Sequence, residues 1–235
     1  MSDTRPIVLF DLDDTILDFQ SAERAALTRA FTALGIPATE ELIARYSDIN
    51  RSQWELLEDG VLSREQVLRR RFELLFAEYG IERAGDEANE RYENELCFGH
   101  WFMPGAEEVL RALTPGCRLF IVSNGAAKVQ AARLRSAGIG SYFEDIFISE
   151  EIGAEKPSRA FFDFAFARIR DFDPARTILV GDSLTSDIRG AKNAGVRACW
   201  YNARKRAPRP DIVPDDTIES LAELPALIRK LKPEN

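Results

Sequence analysis

A single histidine, three cysteines and the lack of any apolar run near twenty residues set the first limits on this 235-residue chain. Cys97, Cys117 and Cys199 are odd in number, widely spaced and form no CxxC pair. Neither a disulfide framework nor a zinc ribbon is expected, and the thiols read as buried and inert in a reducing compartment. With His100 alone and no Gly-x-Ser-x-Gly, His-based triad chemistry is excluded, and His100 reads as structural. No Gly-rich P-loop occurs, which disfavours an ATP-dependent phosphotransferase of that class. The opening MSDTRPIVLFDLDDT places acids inside its first apolar stretch, unlike a secretory signal, and nothing approaches a membrane span. Asp and Glu outnumber Lys and Arg by 39 to 31, a net charge of -8 that repels phosphate backbones at long range. The expectation is a cytoplasmic protein, monomer or homodimer, with neither a nucleic-acid polymer nor a membrane as partner. A small anion remains possible where a cation is placed locally.

What is there has the composition of an ordinary globular chain, 45% apolar and 30% charged. Ile7–Phe10 is a short run of β-formers that breaks on acids, as a buried strand does at its carboxyl end. A helical region follows, from about Ser21 to Asn94. In it Ser63-Arg-Glu-Gln66 has capping-box form, apolar residues recur at helical spacing through Tyr79, and Gly80 is the stop. Leu42, Ile43, Tyr46 and Ile49 mark a second helical face.

After Pro104-Gly105 the pattern alternates. Strands are expected at Leu119–Val122, Ile146–Ile148, Ile178–Val180 and Ala198–Tyr201, and helices at Ala126–Ala137, Arg159–Ile169 and Asp187–Ala194. Short apolar strands between helices indicate an α/β fold, a doubly wound and mainly parallel sheet. The first strand belongs with it, so the expected domains are an α/β core, 1–16 plus 99–235, and an inserted all-α cap, 17–98.

Ligands of such sheets bind beyond the carboxyl ends of the strands. Those ends carry Asp11-Leu12-Asp13-Asp14-Thr15, Ser123-Asn124-Gly125, Lys156-Pro157 and Gly181-Asp182-Ser183, with Asp187 just beyond. Singly each has a plain reading: a turn, a turn, a solvated lysine and a helix cap. Their order and shared position at strand ends carry the meaning. Crowded carboxylates repel unless a cation or proton lies between them, and Asp11, Asp13 and Asp182 offer hard oxygens that suit Mg²⁺. A carboxylate is also a competent nucleophile toward phosphorus, and Asp13 could protonate a leaving oxygen. Ser123, with the backbone N–H groups that follow it at Asn124 and Gly125, can hydrogen-bond phosphoryl oxygens, and Leu12 is counted with them as a substrate-binding position. Lys156 supplies a point charge, and Asp187 could orient metal waters or anchor Lys156.

VLFDLDDT, IVSNG, EKPS and VGDSLTSDI, in that order, resemble the four motifs of the haloacid dehalogenase (HAD) superfamily, and the helical insertion resembles its C1-type cap. The resemblance covers essentially the whole chain. It implies a Rossmann-like core, Asp11 as the nucleophile that becomes aspartyl-phosphate, and Asp13 as general acid, then base. It implies phosphate binding by Ser123 and Lys156. Mg²⁺ would be held by the Asp11 and Asp182 side chains and the Asp13 backbone carbonyl, with Asp187 as supporting ligand.

INRSQWELLEDGVLSREQVLRRRFELL, FISEEIGAEKPSRAFFDFA and SDIRGAKNAGVRACWYNARKR resemble, more specifically, the pyrimidine 5′-nucleotidases, including those acting on non-standard nucleotides. A nucleoside monophosphate is then the implied substrate, with Asn50, Trp54 and Arg71 as cap residues that could face it. Their plainer reading is helix packing, because an aromatic at helical spacing is more often core than a base platform. The competing readings are a phosphatase for phosphoglycolate or a sugar phosphate, a sugar phosphomutase, a haloacid dehalogenase, and a non-catalytic phosphate-binding relic. The dehalogenase works without Mg²⁺ and lacks an acid at the position of Asp13, and a relic need not keep the acid/base.

Overall fold

The computed structural model describes residues 3–231. Six strands form one sheet: β1 Ile7–Phe10, β2 Arg118–Ser123, β3 Asp145–Ile148, β4 Thr177–Gly181, β5 Arg197–Tyr201 and β6 Asp216–Ile218. Their order is β3-β2-β1-β4-β5-β6, and every pairing is parallel. β1, β2 and β4 are buried along their whole length, which is why they read as unbroken apolar runs rather than alternations. The chain fills the sheet first on one side of β1 and then on the other. β1 and β4 therefore meet at the switch point, where such sheets open a crevice at their carboxyl ends.

The chain divides into two compact units. The first comprises the chain to Asp18, Phe102–Ala127 and the chain from Ala137 onward; the second comprises Phe19–Trp101 and Lys128–Ser136. The second holds α1 Phe19–Ala33, α2 Glu40–Glu58, α3 Arg64–Tyr79 and α4 Gly85–Leu96. α3 begins with the expected capping box: the Ser63 N–H donates to Gln66 Oε1 at 2.8 Å, and the Gln66 N–H returns to Ser63 Oγ at 3.3 Å. It ends on Gly80, whose φ of +63° only glycine adopts cheaply.

The remaining helices are α5 Ala106–Leu113, α6 Ala127–Ala137, α7 Ser149–Ile152, α8 Arg159–Arg168, α9 Arg189–Ala194 and α10 Leu224–Arg229. Most of α6 groups with the helical unit, although the sequence reading placed it in the α/β core. Its Arg133 is fully buried and donates to the Gly99 carbonyl at 2.8 Å, an anchor that helix periodicity does not reveal. β6, α5, α7 and α10 are too short or too exposed at their ends to have stood out in the sequence. On one face of the sheet Leu9, Phe120, Val122, Phe147 and Leu179 pack with Phe161 and Phe162 of α8. Each such side chain contributes about 1.5–3 kcal/mol on burial and holds the strand ends in place. Among the described residues no helix is long and apolar enough to cross a membrane.

Candidate active site

Asp11 follows β1 directly, and its N–H donates to the Val180 carbonyl of β4 at 2.9 Å, so the β1–β4 ladder continues one residue past the strand. The chain then closes a tight loop. The Ile16 and Leu17 N–H groups both donate to the Leu12 carbonyl at 3.0 and 2.9 Å, and the Asp14 N–H donates to the Leu17 carbonyl at 2.8 Å. Asp14 adopts φ of +56°, a conformation that aspartate tolerates better than most side chains. The Leu12 side chain is wholly buried, which leaves only its backbone for a ligand.

Lys156 lies at the centre of the strand-end cluster. Its ammonium donates to Asp11 Oδ1 at 2.8 Å, to Asp187 Oδ1 at 2.7 Å and to the Val122 carbonyl at 2.8 Å. All three N–H donors are thus used, with the side chain 1% exposed. Burial alone would lower the pKa of this ammonium, but the Asp11 and Asp187 carboxylates outweigh it and hold it above the ordinary lysine value. Asn124 fixes the lysine's backbone: its Nδ2 donates to the Lys156 carbonyl and its Oδ1 accepts from the Lys156 N–H, each at 2.9 Å. The Asn124 side-chain amide thus holds the Lys156 loop, a contact the sequence does not announce.

The turn after β4 departs from the expected α-helix at Asp187–Ala194. Leu184–Ile188 is instead a single π-helical turn that leads into α9. The Ser183 carbonyl accepts from the N–H groups of both Asp187 and Ile188 at 3.1 Å, and Ser183 Oγ accepts from the Ser186 N–H at 3.1 Å. The wider turn brings Asp187 back over the strand end, where its Oδ2 accepts from the Ser183 N–H at 3.0 Å. Both Asp187 oxygens are therefore engaged, and of its two expected roles the structure shows the anchoring of Lys156. Gly181 makes room for this arrangement. A Cβ there would lie 2.3 Å from the Asp187 carboxyl carbon.

Asp11, Asp182 and Asp187 each bring a carboxylate oxygen within 4.8 Å of the others. Hard oxygens without histidine or thiolate suit a small divalent cation such as Mg²⁺. The Asp13 side chain, expected among the hard oxygens beside Asp11 and Asp182, is not in this group, and Asp187 stands there in its place. Burial, and then the surrounding carboxylates, hold the Asp11 carboxyl well above its usual range despite Lys156. Burial and the Asp14 carboxylate push Asp182 up to about 8 against the pull of Arg206. In both, the loss of water on burial is the larger cause, and the neighbouring acids add to it. Ser123 is buried at the end of β2, with its hydroxyl oxygen accepting from the Gly125 N–H at 3.0 Å.

Asn50 and Trp54 lie in the helical unit. Both ends of the Asn50 amide are committed there, Nδ2 to Glu23 Oε1 at 2.8 Å and Oδ1 to Arg71 Nη1 at 3.1 Å. Trp54 is half-buried under the Arg64 guanidinium, 5.5 Å from its ring centroid. Residues that the sequence reading did not single out are Asp14, Arg204 and Arg206. Arg204 Nη2 donates to Asp14 Oδ1 at 2.9 Å, and Arg206 Nη1 donates to Asp182 Oδ2 at 2.8 Å. The signal was the basic run ARKR after a strand, a pattern that usually marks a solvated loop.

Residues 6–195 match the model of the haloacid dehalogenase-like hydrolases. The chain is 41% identical to the HAD-hydrolase YfnB of Bacillus subtilis over 92% of each sequence. It is 35% identical to the pyrimidine 5′-nucleotidase PynA of Streptococcus pneumoniae over 83% of each. With the pyrimidine 5′-nucleotidase YjjG of Escherichia coli the identity is 33%, over 95% of this chain and 97% of that one. A crystal structure of YfnB bound to magnesium superposes with a TM-score of 0.92 at 39% identity, covering 96% of this chain and 99% of that one. With four strand ends delivering the expected acids, hydroxyl and lysine to one sheet edge, these matches settle the family: the chain belongs to the haloacid dehalogenase-like hydrolases.

Proposed function

We propose that the chain is a Mg²⁺-dependent phosphomonoester hydrolase, a 5′-nucleotidase for pyrimidine nucleoside monophosphates. The observation that carries this reading is Lys156, held between Asp11 and Asp187 with Asp182 beside them. One buried ammonium against three carboxylates leaves a site short of positive charge, a condition that a divalent cation relieves, and the bound cation in turn attracts an anionic phosphoryl group.

In the proposed reaction an Asp11 oxygen attacks phosphorus in line, and the bond from phosphorus to the nucleoside 5′ oxygen breaks. Asp13 gives its proton to that oxygen. Water then attacks the aspartyl-phosphate while Asp13 takes a proton from it, which releases phosphate and restores Asp11. Ser123 and the backbone at Leu12, Asn124 and Gly125 are assigned to the phosphoryl oxygens, and Lys156, whose three N–H donors are engaged, to their charge. Asp11, Asp182, Asp187 and the Asp13 carbonyl are assigned to Mg²⁺, which when bound neutralises charge on the phosphoryl group and the crowded acids. YfnB bound to magnesium supports that assignment. PynA and YjjG support the nucleotide class.

The assigned phosphate-handling residues recognise what every monophosphate shares. Choice of leaving group is therefore assigned to the helical segment 17–98, with Trp54 as the base-side contact. The test is Mg²⁺-dependent phosphate release from dUMP, dTMP, UMP, dAMP and phosphoglycolate, with Asp11→Asn as blank. The pyrimidine monophosphates are expected to show the highest kcat/KM, and Trp54→Ala to flatten the ratios. A preference for phosphoglycolate would replace the nucleotidase reading with a small-ester phosphatase.

A further inference from the structure

The loop after β5 is folded back on itself. Asn202 brackets it: its Oδ1 accepts from the Arg206 N–H at 2.7 Å, and its Nδ2 donates to the Arg206 carbonyl at 3.0 Å. The Lys205 N–H closes the turn onto the Asn202 carbonyl at 3.1 Å, with Lys205 at φ of +51°. Two arginines of opposite reach are thereby aimed at the strand-end acids. Arg204 Nη2 takes Asp14 Oδ1 at 2.9 Å and Asp18 Oδ1 at 3.1 Å. Arg206 Nη1 takes Asp182 Oδ2 at 2.8 Å, and its Nη2 lies 3.9 Å from Asp14 Oδ2. Asp182 is held at a second point, where its carbonyl accepts from Trp200 Nε1 of β5 at 2.9 Å.

A carboxylate has two oxygens, and a guanidinium bound to one fixes the rotation that aims the other. Asp182 is also the one member of the three-acid cluster that makes no ion pair with Lys156; those pairs go to Asp11 and Asp187. Its orientation therefore has to come from elsewhere, and Arg206 is the cation in contact with it. From this geometry we infer that Arg206 is a positioning residue, clamped by Asn202, that holds one Asp182 oxygen so that the other is set to receive the divalent cation. The inference rests on the reading that Asp182 is a metal ligand.

Outer partners of metal ligands tune affinity about 10–100-fold, and the effect here belongs near the lower end because the Arg206 side chain is 37% exposed. The experiment is titration calorimetry of MgCl₂ into substrate-free protein, beside melting curves in chelator. Arg206→Gln is expected to raise the Mg²⁺ dissociation constant about 10-fold, and Arg206→Lys, a point charge without the planar fork, to restore part of it. Asn202→Ala frees the loop without touching any acid and is expected to weaken Mg²⁺ in the same direction. It serves as the probe if Arg206→Gln does not fold. Asp182→Asn is expected to abolish binding. Mg²⁺ binding by Arg206→Gln equal to or tighter than wild type, with Asp182→Asn silent, would overturn the inference and leave the metal reading intact. Wild-type binding by Asp182→Asn would overturn the metal reading and this inference with it.

Discussion

Both units bury charge, and they do so to opposite effect. In the helical unit Glu23, Asn50 and Arg71 join α1, α2 and α3, and all three are at most 4% exposed. Arg71 Nη2 goes on to Asn89 Oδ1 of α4 at 2.6 Å, and the guanidinium lies over the Tyr92 ring at 5.1 Å. One buried cation thus faces one buried anion through an amide, with Glu93 at 3.6 Å beyond. In the α/β unit, by contrast, Lys156 alone answers Asp11 and Asp187, and Asp182 waits on the half-exposed Arg206. The helical unit's network matches one buried cation to one buried anion and fastens helices, although Arg71 Nε finds no hydrogen-bond partner in it; the unbalanced cluster at the strand ends is of the kind that a bound ion completes.

That contrast can be broken from either side. The largest effect is expected from Asp11→Asn, because an amide can neither attack phosphorus nor ligate as an anion. Phosphate release should fall more than about 1,000-fold, roughly 4 kcal/mol of barrier, with the melting temperature nearly unchanged. A variant retaining more activity than that would end the role of Asp11 as nucleophile.

Arg71→Met should behave in the reverse way. Removing one partner of a buried charge pair costs about 3 kcal/mol or more of stability in urea unfolding, whereas Mg²⁺ binding well below the melting point should be unaffected. Adding Glu23→Gln should restore part of the loss, since the stranded charge is then gone. If the second change only adds to the first, the network is not coupled.

Gly181→Ala tests the crowding around Asp187. A methyl group cannot occupy a point 2.3 Å from the carboxyl carbon, so Asp187 must shift and loosen Lys156. About a tenfold fall in kcat, without a matching rise in KM, is the expected outcome of steady-state kinetics. Cysteine labelling sharpens the comparison with no rate measured. Burial, and then Asp216, push the Cys199 thiol up to about 12, so at pH 8 it stays protonated and unreactive. Cys117 is buried as well, whereas Cys97 is half-buried, a correction to the expectation of three buried thiols. A thiol reagent at pH 8 should modify Cys97 quickly and the other two only after unfolding, as mass spectrometry of the labelled peptides would show.

Five of the six strands, the long helical stretch and the order of Asp11, Ser123, Lys156 and Asp182 were determined by the sequence alone, whereas the short β6 was not. Each depends on local rules: apolar runs of β-formers, helical spacing with a capping box, and polar residues where a strand stops. Contacts that span the chain were decided only in three dimensions. Arg204 reaches Asp14 across 190 positions and Arg206 reaches Asp182 across 24, so nothing near either arginine distinguished it from a solvated one. The Asn124 amide turned to the Lys156 backbone, Asn50 turned inward between Glu23 and Arg71, and Asp187 was set by a π turn rather than the α-helix its neighbours favour. In each case the side chain's type was plain, but its partner was chosen by which strand end or helix the fold set beside it, and a buried polar group takes the partner that is there because leaving it bare costs more.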